Sequence, residues 1–219
     1  MNRATTQAEP LKRNRLNLRF SLRTLMIAVT LLCAVMAVVS SRANRQRLAV
    51  LRIKEARGLA YYDYQLDDNF NPRIDELPGP GPDWLRAFIG TDYFATVVSV
   101  RVNLATDELL EATAELPHLR ELRIACDSKI SDGAWRHLKD LPELESLYLR
   151  GTRDSAMVNL AGLAHLHVLY ITNTDVTDAG LASLKSLPRL QTLNLTGTKV
   201  TKFGITDLQA ALPDCKIHH

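Results

Sequence analysis

An α/β solenoid with a parallel concave sheet, preceded by a single N-terminal transmembrane helix, is the architecture that the sequence predicts. Two features predict it: an uncharged apolar run near the N-terminus, and an apolar pattern that recurs about every 24 residues through the second half of the chain. The chain has 219 residues, 46% of them hydrophobic and 23% charged, which is close to the globular average. This length suits one globular domain with an appendage.

Residues 24–41 form the uncharged run, which has 18 residues. As a helix, such a run is about 27 Å long and just spans the hydrocarbon core of a bilayer. Only Thr30 interrupts the apolar residues from Leu25 to Val39, whereas an amphipathic surface helix has polar residues every three or four positions. We therefore predict a single-pass transmembrane helix over residues 24–41.

Basic segments flank the predicted transmembrane helix. Residues 1–57 carry 12 Lys and Arg against two Glu, and the rest of the chain carries 15 basic against 22 acidic residues. We interpret residues 1–23 as a basic cytoplasmic leader and residues 42–58 as a basic juxtamembrane helix with Gly58 at its C-cap. Such flanks attract anionic lipid, so the bilayer is one predicted partner. The acidic remainder predicts no nucleic acid partner.

Lys and Arg are nearly equally frequent on the two sides of the uncharged run, so they do not fix its orientation. A short leader before a first anchor favours a cytoplasmic N-terminus, which places the rest of the chain on the extracytoplasmic side of an inner membrane. The alternative is a signal peptide cleaved near Ala43, because Ser41 and Ala43 are small residues at the positions that signal peptidase reads. Cleavage would give a secreted or periplasmic protein.

Residues 94–219 contain the repeat, in five units and a half-unit. Segments of the type Leu-Pro-x-Leu introduce the units, as at Leu116, Leu141 and Leu187. Each is followed by the pattern LxxLxL, whose leucines point to one face of a strand. A turn and a second apolar group follow, most clearly in VTDAGLASL at residues 176–184. Stacking of three or more such units buries a continuous core.

These residues resemble the leucine-rich-repeat family, in particular the subclass with a V/I-T-D-x-G-L segment that also occurs in F-box substrate receptors. The order of a leader with RFSLRTL, an uncharged run and repeats that end in LPDCKI is similar to small membrane-anchored leucine-rich-repeat proteins of planctomycete bacteria. The resemblance implies a curved solenoid that acts by binding. It implies no established activity for these bacterial proteins.

Some positions depart from the family pattern. Thr152, Thr174 and Thr198 replace the usual Asn or Cys after the strand, and Asp127 stands there in the second unit. We expect the threonine hydroxyls to bond to the backbone of the turn. The third unit, TRDSAMVNLAG, lacks the T-D-x-G-L signal, so we expect an irregular turn in place of its convex helix.

The segment 59–93 is the predicted N-terminal cap of the repeats. Its first residues, LAYYDYQL, are β-prone, and a Pro/Gly loop follows. We expect Asp83 to cap a short helix that Gly90 stops. At the other end, Cys215 occupies a core leucine position, where a thiol behaves as a small hydrophobe.

Candidate chemistry is sparse. His165 and His167 occupy variable solvated positions of the repeat, and His218 and His219 are expected to be frayed. Cys33, Cys126 and Cys215 are too scattered for a zinc site or a disulfide framework. The sequence therefore predicts no metal, no cofactor and no enzymatic activity; the rival hypothesis of an enzyme would use the loop at residues 77–92 as a lid.

Acidic residues on the convex side have structural interpretations. Asp132 and Asp178 precede an apolar run, where a carboxylate accepts the free N–H groups of a helical turn. Asp107, Glu108 and Glu111 are expected to form a solvated face of the first convex helix.

The residues between the strand leucines line the concave face, since side chains alternate along a strand. Its middle column is rich in Arg and Tyr, which are enriched at binding hot spots, although Tyr is also common on unused sheet faces. We predict that this face binds a still unidentified protein partner; an adaptor like the F-box receptors is an alternative, although the leader contains no F-box. The predicted binding residues are Arg101, Arg123, Tyr148, Arg150, Tyr170 and Asn194.

Overall fold

The computed structural model describes residues 21–73, 78–125 and 130–219. Most of the predicted basic leader, part of the Pro/Gly loop, Cys126 and Asp127 lie outside the described residues. The chain divides into two compact units, Met1–Val38 and Val39–His219.

The first helix, α1, is Leu22–Glu55 and has 34 residues. Its most apolar 18-residue window has a mean hydropathy of 2.3. Among the described residues, α1 is the one helix whose length and composition would allow it to cross a bilayer, and a signal sequence near an N-terminus has the same properties. The helix continues without a break into residues that were predicted as a juxtamembrane segment.

The end of α1 corrects the predicted C-cap. Gly58 N donates to Ile53 O at 2.8 Å and Arg57 N donates to Lys54 O at 2.9 Å, which is the hydrogen-bond pattern of a Schellman motif. The left-handed residue is Arg57, with φ 56°, and not Gly58. Glycine is needed at position 58 because a Cβ there would lie 2.8 Å from Ile53 Cγ2.

In the described ranges, seven strands form one sheet in chain order, β1 to β7. Strands β2 to β7 pair in parallel, and β1 pairs antiparallel with β2. This order, in which each strand lies beside the next, confirms the predicted α/β solenoid with a parallel sheet. The strands are Leu59–Tyr62, Val97–Val102, Glu121–Ala125, Ser146–Arg150, Val168–Thr172, Thr192–Asn194 and Lys216–His218.

The leucines of the repeat form a continuous core on one face of the sheet. Leu122, Leu147, Leu169 and Leu193 are register partners on successive strands, and each is fully buried. The predicted inward face of the strands is therefore confirmed. The opposite face is termed the concave face.

The second half of α1 belongs to the same core. Ala49, Val50 and Ile53 are buried and join the cluster that contains Val97 and Val102 of β2. Residues 42–58 were expected to form a segment separate from the repeats and their cap. Their apolar side chains instead help to cover the first repeat.

Helical segments lie on the convex side, between successive strands. The third unit contains a four-residue helix, Asp154–Met157, so the prediction of an irregular turn was wrong. The helix forms because Ala156 and Met157 are buried in the core. The remaining helices, α2 to α6, are Asp83–Ile89, Asp107–Ala114, Asp154–Met157, Asp178–Leu184 and Lys202–Ala211, and 3-10 helices are found at Asp63–Gln65, Thr91–Tyr93 and Ala134–Asp140.

The convex aspartates bind the next repeat and not their own helical turn, which corrects the prediction for Asp132 and Asp178. Asp178 accepts hydrogen bonds from Thr201 N at 2.8 Å and from Thr201 Oγ1 at 2.6 Å. These bonds lower the pKa of Asp178. Equivalent positions of neighbouring units lie side by side, which brings each carboxylate near the start of the following convex segment; the contacted residue is the N-cap at Thr177 and Thr201. The contacts are Asp107 to Ser131, Asp132 to Ser155, Asp154 to Thr177 and Asp178 to Thr201.

The threonines after the strands behave differently from one another. Thr198 Oγ1 donates to Leu195 O at 2.7 Å, as expected. Thr152 and Thr174 are buried, and their hydroxyls have no hydrogen-bond partner in the described part of the chain, so the expectation is wrong for these two. A hydroxyl on Cβ reaches less far than the asparagine amide that it replaces.

The structure refines the predictions for both ends of the repeats. Asp83 is the first residue of α2, where Pro82 is the N-cap, so Asp83 is not the cap; its carboxylate pairs with Arg86. Gly90 ends the helix with φ 98°, as predicted. His218 is not frayed, since it pairs with Asn194 of β6.

Candidate functional site

The middle column of the concave face is confirmed by the strand register. Its members face the same way on neighbouring strands, so their side chains form one row across the sheet. This row, termed the concave row, consists of Arg101, Arg123, Tyr148, Tyr170 and Asn194.

Arg101 is held by the N-terminal cap. Its Nη2 lies 3.1 Å from Glu121 Oε2 and donates to the carbonyl oxygen of Phe70. Its guanidinium carbon also lies 5.1 Å from the centre of the Tyr61 ring. Because these partners surround it, Arg101 fixes the cap to the sheet and is less available to a partner than the rest of the row.

Glu121 organises this end of the row, and sequence reasoning missed its role. Its side chain is only 1% exposed. Ser99 Oγ donates to Glu121 Oε2 at 2.6 Å, and Arg123 Nε donates to Oε1 at 2.7 Å. One buried carboxylate thus binds two arginines. The available signal was that Glu121 stands two residues before Arg123, on the same strand face, with Arg101 on the neighbouring strand.

Arg123, Tyr148 and Tyr170 stack in sequence. The guanidinium carbon of Arg123 lies 4.2 Å from the centre of the Tyr148 ring, within the range of a cation–π contact. The Tyr148 and Tyr170 rings are 4.8 Å apart and inclined by 24°. Burial raises the pKa of Tyr148, although the nearby Arg123 opposes this shift. Tyr148 therefore remains neutral at neutral pH.

The side chains of Arg150 and Asn194 differ in how accessible they are to a partner. Arg150 is exposed at the end of β4 and lines a shallow depression of about 290 Å³ together with Tyr148 and Tyr170. Asn194 Oδ1 accepts a hydrogen bond from Thr196 N at 2.9 Å. Asn194 therefore shapes the turn after β6, and the accessible part of the predicted site is centred on Arg123, Tyr148, Arg150 and Tyr170.

The strand residues on the concave face carry an excess of positive charge. Glu121 is the acidic side chain, and Arg101, Arg123, Arg150 and Lys216 are the basic ones in the described strands. Within the described ranges, no group of three His, Cys, Asp or Glu residues is arranged to hold a metal ion. His165 Nδ1 lies 3.3 Å from Arg189 Nη1. The site's chemistry is thus that of cationic and aromatic recognition.

No protein-family model matches this chain, and no curated protein matches it. Solved structures that are similar to it include the following two. A leucine-rich-repeat protein of Leptospira interrogans is 15% identical, with a TM-score of 0.34 and coverage of 50% of this chain and 33% of that chain. Internalin C2 of Listeria monocytogenes is 18% identical, with a TM-score of 0.34 and coverage of 57% and 75%. This chain spans about a third of the length of the Leptospira protein.

Proposed function

We propose that the chain is a single-pass, membrane-anchored leucine-rich-repeat protein that binds a protein partner through its concave row. The observation that carries this proposal is the stack of Arg123, Tyr148 and Tyr170. Three adjacent strands hold these side chains against one another, so the side chains themselves lose little conformational freedom when a partner binds. Tyr and Arg are also the residue types enriched at binding hot spots.

The charge of the concave face favours an acidic partner. Glu121 is buried and already shared by Arg101 and Arg123, so it offers little negative charge to a ligand. Arg150 is exposed beside the tyrosines. We expect the partner to present carboxylates to Arg150 and Arg123 and an apolar or aromatic group to the two tyrosines.

Several contacts support an anchor that is retained over a signal peptide cleaved near Ala43. Ser40 Oγ and Tyr93 Oη are 2.8 Å apart, and Arg42 Nη2 contacts His118 Nε2. Ala43 itself is buried. Cleavage after Ala43 would remove the first two contacts, which join α1 to the cap and the repeats. An inner-membrane location with the repeats on the extracytoplasmic side remains part of this proposal.

Other functions have less support. An adaptor like the F-box receptors would need an F-box, and the leader sequence does not contain one. An enzyme would need a cluster of reactive groups, whereas the concave row presents arginine and tyrosine in mutual contact. The similarity to planctomycete repeat proteins fits the anchored architecture and adds no activity.

Deletion of residues 1–38, the first compact unit, tests the anchor. Full-length protein is expected to resist alkaline carbonate extraction of membranes, because a spanning helix is not released by loss of charge contacts. The truncated protein is expected in the extract. Carbonate resistance of the folded truncated protein would contradict the anchor assignment.

Quantitative capture of membrane and soluble partners tests the binding face. Arg123→Ala, Tyr148→Ala and Tyr170→Ala are each expected to weaken capture by about 1–2 kcal/mol. Phe203→Ala removes a matched aromatic side chain that is 79% exposed on α6, and it is expected to leave capture unchanged. Loss of capture in the Phe203 variant alone would place the binding surface elsewhere.

A further inference from the structure

Two large aromatic side chains are exposed side by side on α2. Trp84 is 72% exposed and Phe88 is 85% exposed. They are four residues apart, so they lie on the same face of the helix, and Ala87 between them is also exposed. A single exposed apolar residue needs no explanation, but an adjacent pair of this size marks a contact surface.

The segment after α2 is held to the part of α1 where the uncharged run ends. Tyr93, in the 3-10 helix that follows Gly90, is bound to Ser40 at 2.8 Å. Gln46 Nε2 donates to Asp92 Oδ1 at 3.1 Å and to Ala95 O at 2.9 Å. Three hydrogen bonds thus fix the segment after α2 to the turns of α1 at the end of the uncharged run.

Charged side chains line this junction. A cavity of about 480 Å³ lies between these turns of α1 and the segment after α2, and Arg42, Arg45 and His118 line it together with Asp92 and Glu115. Asp92 is already bonded to Tyr62 Oη at 3.0 Å. The helix residues 42–55 carry five basic side chains against Glu55. This charge is complementary to the anionic surface of a bilayer.

We propose that α2 lies in the lipid–water interface and makes a second membrane contact through Trp84 and Phe88. This inference rests on the proposed anchoring of the uncharged run. The indole of Trp84 combines an apolar ring with an N–H donor, and such side chains favour the headgroup level of a bilayer. Phe88 supplies apolar area on the same face, as in other interfacial helices. The aromatic pair therefore contacts lipid.

Fluorescence of Trp84 tests this contact in the full-length chain. The sequence has two tryptophans, and Trp135 is 3% exposed in the repeats, so Trp135→Phe leaves Trp84 as the reporter. The variant is placed in nanodiscs of anionic lipid with or without brominated acyl chains. We expect brominated lipid to quench Trp84 at least about twofold more strongly than a reporter held in water. The difference between wild type and Trp84→Phe gives the same signal without altering Trp135.

The matched reporter is Phe203→Trp in the Trp84→Phe, Trp135→Phe background. Position 203 is also strongly exposed, at 79%, but it lies on the last helix. We expect acrylamide to quench it and brominated lipid to leave it unchanged. Acrylamide quenching of Trp84 without quenching by brominated lipid overturns the inference, and so does a Trp84 signal that is shielded from both quenchers, which would indicate a protein contact.

The two proposals fail in different ways. If the chain enters nanodiscs but Trp84 behaves like the reporter at position 203, the anchor stands and the second contact is refuted. If the chain does not enter nanodiscs, the anchor is refuted and the second contact with it. Co-purification of the chain with the nanodisc scaffold distinguishes these results.

Discussion

Neighbouring repeats are linked by different kinds of contact on their convex and concave sides. On the convex side, an Asp binds a Ser or Thr near the start of the next convex segment, and this contact occurs four times in succession in the described part of the chain. On the concave side, the contact between neighbouring strands changes at each step, from an ion pair to a cation–π contact and then to an aromatic stack. A contact that recurs with the repeat serves the shared architecture. A contact that belongs to one strand needs another reason, and the proposed partner binding would supply it.

Leu169→Ala and Tyr170→Ala test the separation of the two faces most strongly. They are neighbours on β5, but Leu169 is fully buried in the core and Tyr170 lies in the concave row. We expect Leu169→Ala to lower the free energy of unfolding by about 2–5 kcal/mol, as buried leucine truncations do, and Tyr170→Ala to lower it much less. Denaturant unfolding of the full-length protein in detergent measures both, in a Trp84→Phe background that leaves Trp135 as the fluorescent reporter. Equal losses would mean that the strand faces are exchanged.

Glu121→Gln tests whether the concave row depends on its buried carboxylate. The substitution removes the negative charge from both arginine contacts while keeping the size of the side chain. We expect a loss of about 1–3 kcal/mol in the free energy of unfolding, the range for hydrogen bonds to charged groups. The Trp135 unfolding curve measures it.

Glu145→Gln is the matched control for Glu121→Gln. Glu145 also pairs with an arginine of the neighbouring unit, since Arg120 Nε lies 2.8 Å from its Oε1, but these side chains are 48% and 31% exposed. We expect this exposed pair to contribute no more than about 1 kcal/mol. A larger loss for Glu145→Gln than for Glu121→Gln would contradict the assigned role of the buried carboxylate.

The aspartate contacts on the convex side predict that the folded protein loses stability in acid. Hydrogen bonds from Ser131 and Thr201 lower the pKa of Asp107 and Asp178 below the ordinary value of 3.8. Their folded-state pKa is thus below the unfolded one, so the stabilisation is complete above about pH 4 and is lost as the pH falls through the folded-state pKa. We expect Asp178→Asn to flatten the dependence of unfolding on pH between about 2 and 5. Glu108→Gln, at an exposed position outside this set of contacts, is expected to leave the dependence as in wild type.

Periodicity explains why the sequence predicts the strands well and some of their contacts poorly. The leucine spacing of LxxLxL determines which face is buried, so the register of the concave row follows from it. The link from Asp154 to Thr177 was missed because its unit is shorter and lacks the T-D-x-G-L signal. The role of Glu121 was missed because it depends on Arg101, which is 20 residues away in the chain and adjacent only after the strands pair.

The first repeat was the hardest region to predict. Ala49, Val50 and Ile53 stand among basic residues, so the segment's composition indicated a membrane-proximal helix and hid its buried face. Only the packing against Val97 and Val102 shows that these residues belong to the core. A non-repeating segment covers this face, and such a segment leaves no periodic signal in the sequence.

The smallest expected change in the free energy of unfolding comes from the threonines that follow the strands. Its sign differs between two equivalent positions. Thr174 is 5% exposed, and its hydroxyl has no hydrogen-bond partner among the described residues. Thr198 donates to Leu195 O at 2.7 Å. Removing a buried hydroxyl without a partner abolishes a desolvation cost, whereas removing the Thr198 hydroxyl breaks a hydrogen bond to Leu195 O, which then keeps only the bond from the backbone N–H of residue 198. We therefore expect Thr174→Val to raise the free energy of unfolding by up to about 1 kcal/mol and Thr198→Val to lower it by about the same amount. Unfolding curves of the two variants, measured side by side, decide the point, because a loss of stability in both would mean that the Thr174 hydroxyl is bonded in solution.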